Sequence, residues 1–112
     1  MNKKIAIPVK EGKLSAHFGE CTSFMIYETD QTSIIGFGEF QPPLKSRGVF
    51  PSFLINKGVN AVIAGGLGIK AMRLFEANEV EVISGVNNTD PIGLVEMYLK
   101  NELHSGMNLC DH

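Results

Sequence analysis

The second half of the chain alternates apolar segments of two periods, and that alternation limits the fold more than any other feature. Val59-Asn60-Ala61-Val62-Ile63-Ala64 is almost wholly apolar, the pattern of a strand covered on both faces, and it stops at Gly65-Gly66. From Leu67 to Glu76 the period changes. Leu67, Ala71, Leu74 and Phe75 form one stripe opposite Lys70, Arg73 and Glu76, which predicts an amphipathic helix. Val80-Glu81-Val82-Ile83-Ser84 reads as the next strand and Asn87-Asn88-Thr89 as loop. Asp90 then stands where an N-cap belongs, with Pro91 at the first helical position, ahead of the stripe Leu94, Val95, Tyr98, Leu99. Upstream, Val49 to Lys57 carries Phe50, Phe53 and Leu54 at helical spacing, with Pro51 suited to a first turn and Gly58 to a C-terminal cap. Helices and buried strands in this order build right-handed parallel crossovers.

The first half reads differently. Residues 3 to 9 alternate Ile5, Ile7 and Val9 and predict a strand, in which Pro8 fits only near an end because it cannot donate to a ladder. Phe24-Met25-Ile26-Tyr27 and Ser33 to Phe40, separated by Thr29-Asp30-Gln31-Thr32, predict an antiparallel hairpin, with Gly36 and Gly38 marking a bulge. The sum is an α/β protein, a three-layer α/β/α sandwich on a mixed sheet. At 112 residues the chain is long enough to bury a core without disulfides or a structural metal. Residues 1–103 are expected to form one α/β domain. Residues 104–112 lack any periodic pattern and are expected to be a flexible tail.

Several function classes drop out on composition. A net charge of −2 gives no electrostatic case for nucleic acid. No apolar run approaches the length of a membrane span, and the start, Met-Asn-Lys-Lys, lacks a signal-peptide core, so a cytoplasmic protein is expected. In a reducing compartment the two cysteines are expected as thiols or ligands rather than as a disulfide. No enzyme machinery is visible. Ser15 and His17 lack an orienting acid, and Asp90 and Glu96 are accounted for by capping and by a solvated helix face.

What remains is metal chemistry. Ser15-Ala16-His17-Phe18-Gly19-Glu20-Cys21 follows the first strand and holds an imidazole and a thiol four residues apart; if the loop turns helical near Phe18, both fall on one face. The competing reading makes Cys21 a small buried hydrophobe and His17 a loop residue. Cys110-Asp111-His112 closes the chain with a second thiol and imidazole, and His104 and Asp111 are further donors; the competing reading is a tail with incidental residues. Gly65-Gly66-Leu67-Gly68 joins a buried strand to a helix, where amides and the helix dipole suit an anion, although glycines that only permit a tight turn explain it as well. Lys45 and Arg47 add charge beside Pro42-Pro43, most simply as a solvated loop.

Taken together, Ile5-Ala6-Ile7-Pro8-Val9, Ser15-x-His17-Phe18-Gly19, Gly48-Val49-Phe50-Pro51-x-Phe53-Leu54, the run Gly58 to Gly68 and Asn108-Leu109-Cys110-Asp111-His112 resemble the dinitrogenase iron-molybdenum cofactor biosynthesis family, which includes NifX-like proteins, nitrogenase accessory factors and the NifB C-terminal domain. The resemblance covers nearly the whole chain. It implies a ribonuclease H-like fold with five strands ordered 3-2-1-4-5, strand 2 antiparallel, and no nuclease activity. It also implies a non-catalytic protein that binds, carries or helps assemble an iron-sulfur or iron-molybdenum-type cluster, or another transition metal, between donor and acceptor proteins; apart from the resemblance, a monomer or weak homodimer is expected. The favoured metal position is His17, with Cys21, Cys110 and His112 as further ligands. Ser15, Phe18, Gly19, Gly65, Gly66 and Gly68 are the expected cofactor contacts. Relatives with this tail often carry a histidine after the Pro-Pro pair, where this chain has Leu44. The reading from another class is a regulatory or interaction module that binds an anionic small molecule or a partner protein without metal.

Overall fold

The computed structural model describes residues 2–43, 49–87 and 90–106. Among them the chain forms β1 (Lys3–Lys10), β2 (Lys13–Leu14), β3 (Ser23–Thr29), β4 (Ile34–Phe40), α1 (Val49–Asn56), β5 (Ala61–Ile63), α2 (Ile69–Ala77), β6 (Glu81–Ile83) and α3 (Pro91–Leu99). The strands make one mixed sheet in the order β4-β3-β1-β5-β6. β3 runs antiparallel to β1 and β4 antiparallel to β3, while β5 and β6 continue from β1 in parallel. This is the expected 3-2-1-4-5 path with one addition, because β2 pairs with β1 and makes six strands rather than five.

The extra strand has a local cause. Val9 pairs with Leu14 and Lys10 with Lys13, leaving Glu11 (φ 56°) and Gly12 (φ 79°) as a two-residue turn of the type that matches the right-handed twist of a hairpin. β2 also resolves the problem of Pro8. β5 pairs with β1 only through Ile5 and Ala6, so the proline stands beyond the parallel ladder, and its carbonyl accepts the Ser15 N–H at 2.9 Å.

Alternation along β1 and β5 divides the core in two. Ala6, Val62 and Ala64 face α1 and α2 together with Phe24, Phe50, Leu54 and Phe75. Ile5, Ile7, Val9, Ala61 and Ile63 face α3 through Leu94 and Val95. The buried runs therefore sit between helices on both sides, the expected three layers. Among the described residues no helix is long and apolar enough to cross a membrane. In β4, Ile34 pairs with Thr29 and Gly36 with Glu28, so Ile35 is the extra residue of the bulge foreseen beside Gly36.

All three helices end alike. After α1, Gly58 (φ 80°) donates to Ile55 and Val59 to Leu54, the Schellman pattern. After α2, Glu79 (φ 61°) donates to Glu76 and Val80 to Phe75; after α3, Asn101 (φ 61°) donates to Tyr98 and Glu102 to Met97. Start signals fared less well. Asp90 does precede α3, but its side chain makes no capping hydrogen bond. Leu67, assigned to the α2 stripe, is fully buried just before that helix begins.

Two stability predictions follow from these turns. Glu79→Gly relieves a side chain held in left-handed backbone and raises unfolding free energy by up to about 1 kcal/mol in urea titrations; a loss would contradict the assignment. Between β3 and β4 the Asp30 carboxylate accepts the N–H groups of Thr32 (2.9 Å) and Ser33 (2.8 Å), which hold its pKa below the ordinary value. Its contribution is present above about pH 4 and is lost as pH falls through the lowered native value. The stability gap between wild type and Asp30→Ala therefore closes in acid.

Candidate functional site

After β2 the chain is pinned residue by residue. Ser15 Oγ donates to the His17 carbonyl at 2.7 Å, and the Glu20 N–H donates to the same carbonyl at 3.1 Å, closing a 3-10 turn over Phe18–Glu20. The Thr22 N–H returns the loop to Val9 O at 2.9 Å. His17 itself is extended (φ −129°, ψ 130°) and half-buried.

The same residue forms an isolated parallel bridge with Gly66. Gly66 N–H donates to Ala16 O at 2.7 Å and Gly66 O accepts from Phe18 N–H at 2.8 Å, so the loop after β1 and the turn after β5 are one structure. The bridge depends on an absent side chain. A Cβ on Gly65 would lie 2.8 Å from Ala16 O and 3.0 Å from Ser15 O, both backbone atoms that cannot swing aside. The network extends outward: Gly85 N–H donates to Gly65 O (2.7 Å) and Val86 N–H to Ala64 O (3.2 Å).

From below, Phe18 holds the loop by packing into an aromatic cluster. Its ring centroid lies 5.6 Å from Phe24, 6.2 Å from Phe50 and 5.8 Å from Phe75, the last two edge-on. The result is a rim built at the carboxyl ends of β1, β5 and β6. Between β1 and β5 the chain's direction of travel across the sheet reverses, since β1 leads to β3 and β5 to β6. Open α/β sheets take their ligands at such a point.

The family model for the dinitrogenase iron-molybdenum cofactor matches residues 1–101. This chain belongs to that family. The uncharacterised protein MJ0580 of Methanocaldococcus jannaschii is 31% identical over 105 residues, covering 89% of this chain and 88% of that protein. The fold is shared with the crystal structure of PH0822 (TM-score 0.81, 22% identity, 91% of this chain and 93% of that one). It is shared as well with the apo form of the orange protein from Desulfovibrio gigas (TM-score 0.77, 16% identity, 95% and 94%).

Against this family frame, the candidate residues separate by what they touch. His17, Gly65 and Gly66 come together, as the bridge shows. Gly19 is half-buried in the 3-10 turn, and Gly68 is the half-buried N-cap of α2, where Met72 N–H closes the first helical bond on Gly68 O. Ser15 and Phe18 are both buried, one bonded to the His17 carbonyl and the other within the core. The loop is not a full helical turn, and the Cys21 side chain is buried in the apolar cluster with Phe18 and Phe24, where a thiol packs as a hydrophobe.

In the glycine turn the Gly66 amide is taken by Ala16 O. Among the described residues no three His, Cys, Asp or Glu side chains gather as a metal cage. Lys45, Arg47, Asn88, Thr89, Cys110, Asp111 and His112 lie outside the described residues. The adjacency of His17 and Gly66 was the feature that sequence reasoning missed. Its one local signal was a glycine pair ending a buried strand.

Gly65→Ala tests the bridge directly. It is expected to cost about 1–3 kcal/mol in denaturant unfolding and to shift the amide resonances of Ala16 to Phe18. Phe18→Ala is expected to cost about 3–5 kcal/mol, and a loss under 1 kcal/mol would show that the ring does not anchor the loop.

Proposed function

We propose that this protein is a non-catalytic carrier or assembly protein that receives an iron-sulfur or iron-molybdenum-type cluster from a donor protein and passes it to an acceptor, with His17 as the metal ligand. The cluster is cargo, not a resident group. Family membership supports the cargo class. The observation that carries the reading is the His17–Gly66 bridge, which fixes the backbone of an imidazole-bearing residue at the carboxyl ends of β1 and β5. Imidazole is a good donor to iron and other transition metals, and a loop whose backbone is held by Ser15, Glu20 and Gly66 on either side of the imidazole does not have to reorganise when metal arrives.

The start of α2 adds the electrostatic part. Amides of residues 69 to 71 precede the first closed helical bond, so the positive end of the helix dipole lies just beyond the glycine turn and favours an anionic cluster. A single strong donor from the described residues suits transfer, because a closed cage would hold its cargo too tightly to release it.

Anaerobic addition of iron and sulfide to the reduced protein should give a coloured species that co-elutes with the chain through gel filtration. His17→Ala should lower retained iron about tenfold or more while leaving unfolding midpoints close to wild type. Equal retention by wild type and variant would overturn the reading. A protein that takes up no iron, yet binds an anion or a partner protein with or without His17, would instead be the metal-free interaction module.

A further inference from the structure

The outer face of α2 carries its charges against the helix dipole. Lys70 stands in the first turn and Arg73 one turn on, while Glu76 stands in the last turn and Glu79 just past it. A helix start disfavours cations and a helix finish disfavours anions, and α2 has no acid in its first turn and no base in its last. Among the described residues Lys70 and Arg73 make no hydrogen bond or ion pair, so nothing within the fold offsets the arrangement. Local rules are broken in this way where residues serve something outside the fold.

Position shows what that is. Ile69, Lys70 and Arg73 fall on one side of the helix, opposite Ala71 and Phe75, which pack into the core. All three are exposed, and Ile69 keeps 41% of its surface open despite its large aliphatic side chain. Ile69 follows Gly66 by three residues, at most about 11 Å of chain, so the patch borders the rim where Gly66 bridges His17. Phe75, on the opposite side of α2, packs edge-on against Phe18 beneath that loop. The two cations therefore face solvent on the flank of the site. Glu20 and Asp90, exposed acids of the same end, belong to other elements, which leaves this flank locally positive.

We propose that this flank of α2 docks a protein partner whose contacting surface is acidic around an apolar side chain, with carboxylates meeting Lys70 and Arg73 and the apolar group covering Ile69. The assignment rests on the carrier reading of His17, because a partner that exchanges cargo there has to be seated beside it. Opposite charges speed encounter and set orientation, and the isoleucine supplies apolar area to remove from water. Cations alone would also suit nucleic acid. An exposed isoleucine beside them favours a protein surface.

The metal-free full chain, labelled with nitrogen-15 and titrated with a synthetic helical peptide of Glu and Leu, tests this. The amide resonances of Ile69 to Arg73 should shift, and a Lys-Leu peptide of equal length should leave them in place. Lys70→Glu combined with Arg73→Glu should bind the acidic peptide about tenfold or more weakly and with less dependence on salt. Ile69→Ser should bind it several-fold more weakly. Lys70→Glu alone puts an acid at the favoured end of α2, so its unfolding midpoint in urea should rise while its binding falls, which separates a lost contact from a lost fold. The proposal falls if no resonance shifts, if the shifts map away from α2, or if the doubly reversed variant binds as tightly as the wild type. It falls too if the Lys-Leu peptide or a DNA oligonucleotide takes the same residues in preference, or if those amides shift on concentrating the protein alone, which would make a second copy the occupant. His17→Ala should bind the peptide like the wild type, so failure to retain iron would sink the carrier reading without deciding this one.

Discussion

Two backbone hydrogen bonds, from Gly66 N–H to Ala16 O and from Phe18 N–H to Gly66 O, join the loop after β1 to the turn after β5, and the rest of the site is arranged around them. They form because Gly65 has no side chain to separate the strands' ends and because Phe18 is drawn down into the aromatic cluster. One residue lies between the two bonded positions, and it is His17. Its carbonyl is occupied by Ser15 and Glu20. The residue thus sits on a backbone whose conformation is set by its neighbours.

Phe18 and Cys21 make the same point from below. Phe18 and Cys21 flank the 3-10 turn on the side of α1 and α2, where apolar burial holds the loop against the sheet. Loss of the ring would remove dispersion contacts on several neighbouring rings, and the loop would lose its floor. On the proposed reading, ligand and support are neighbours in the chain, His17 for the one and Phe18 for the other. Further out, Ser84 carries the network to Ser105 and Gly106, and Gly85 to Gly65.

Much of the fold was legible in the residues, for physical reasons. The apolar run Val59 to Ala64 can only be a strand with both faces covered, and the stripe Leu94, Val95, Tyr98, Leu99 only a helix face. Gly58 stood where a helix end needs left-handed backbone, and it occupies that conformation. The short hairpin at Glu11-Gly12 went unread because two residues of β2 carry almost no periodicity, although a glycine in a two-residue link was its signal. The site was harder to read. His17 and the glycine turn are nearly fifty residues apart, and only the parallel order of β1 beside β5 brings them together. A shared face for His17 and Cys21 was conditional on a helical turn, and the turn here is three residues of 3-10.

Amide hydrogen exchange on the metal-free protein tests the central claim most directly. If the bridge is integral to the fold, the amides of Gly66 and Phe18 exchange as slowly as those of Ile5 and Val62 in the central strands, near the limit set by global unfolding. Exchange of both at rates typical of open loops, while the central strands stay protected, would mean that the two segments are not joined and that His17 is not fixed by the turn after β5.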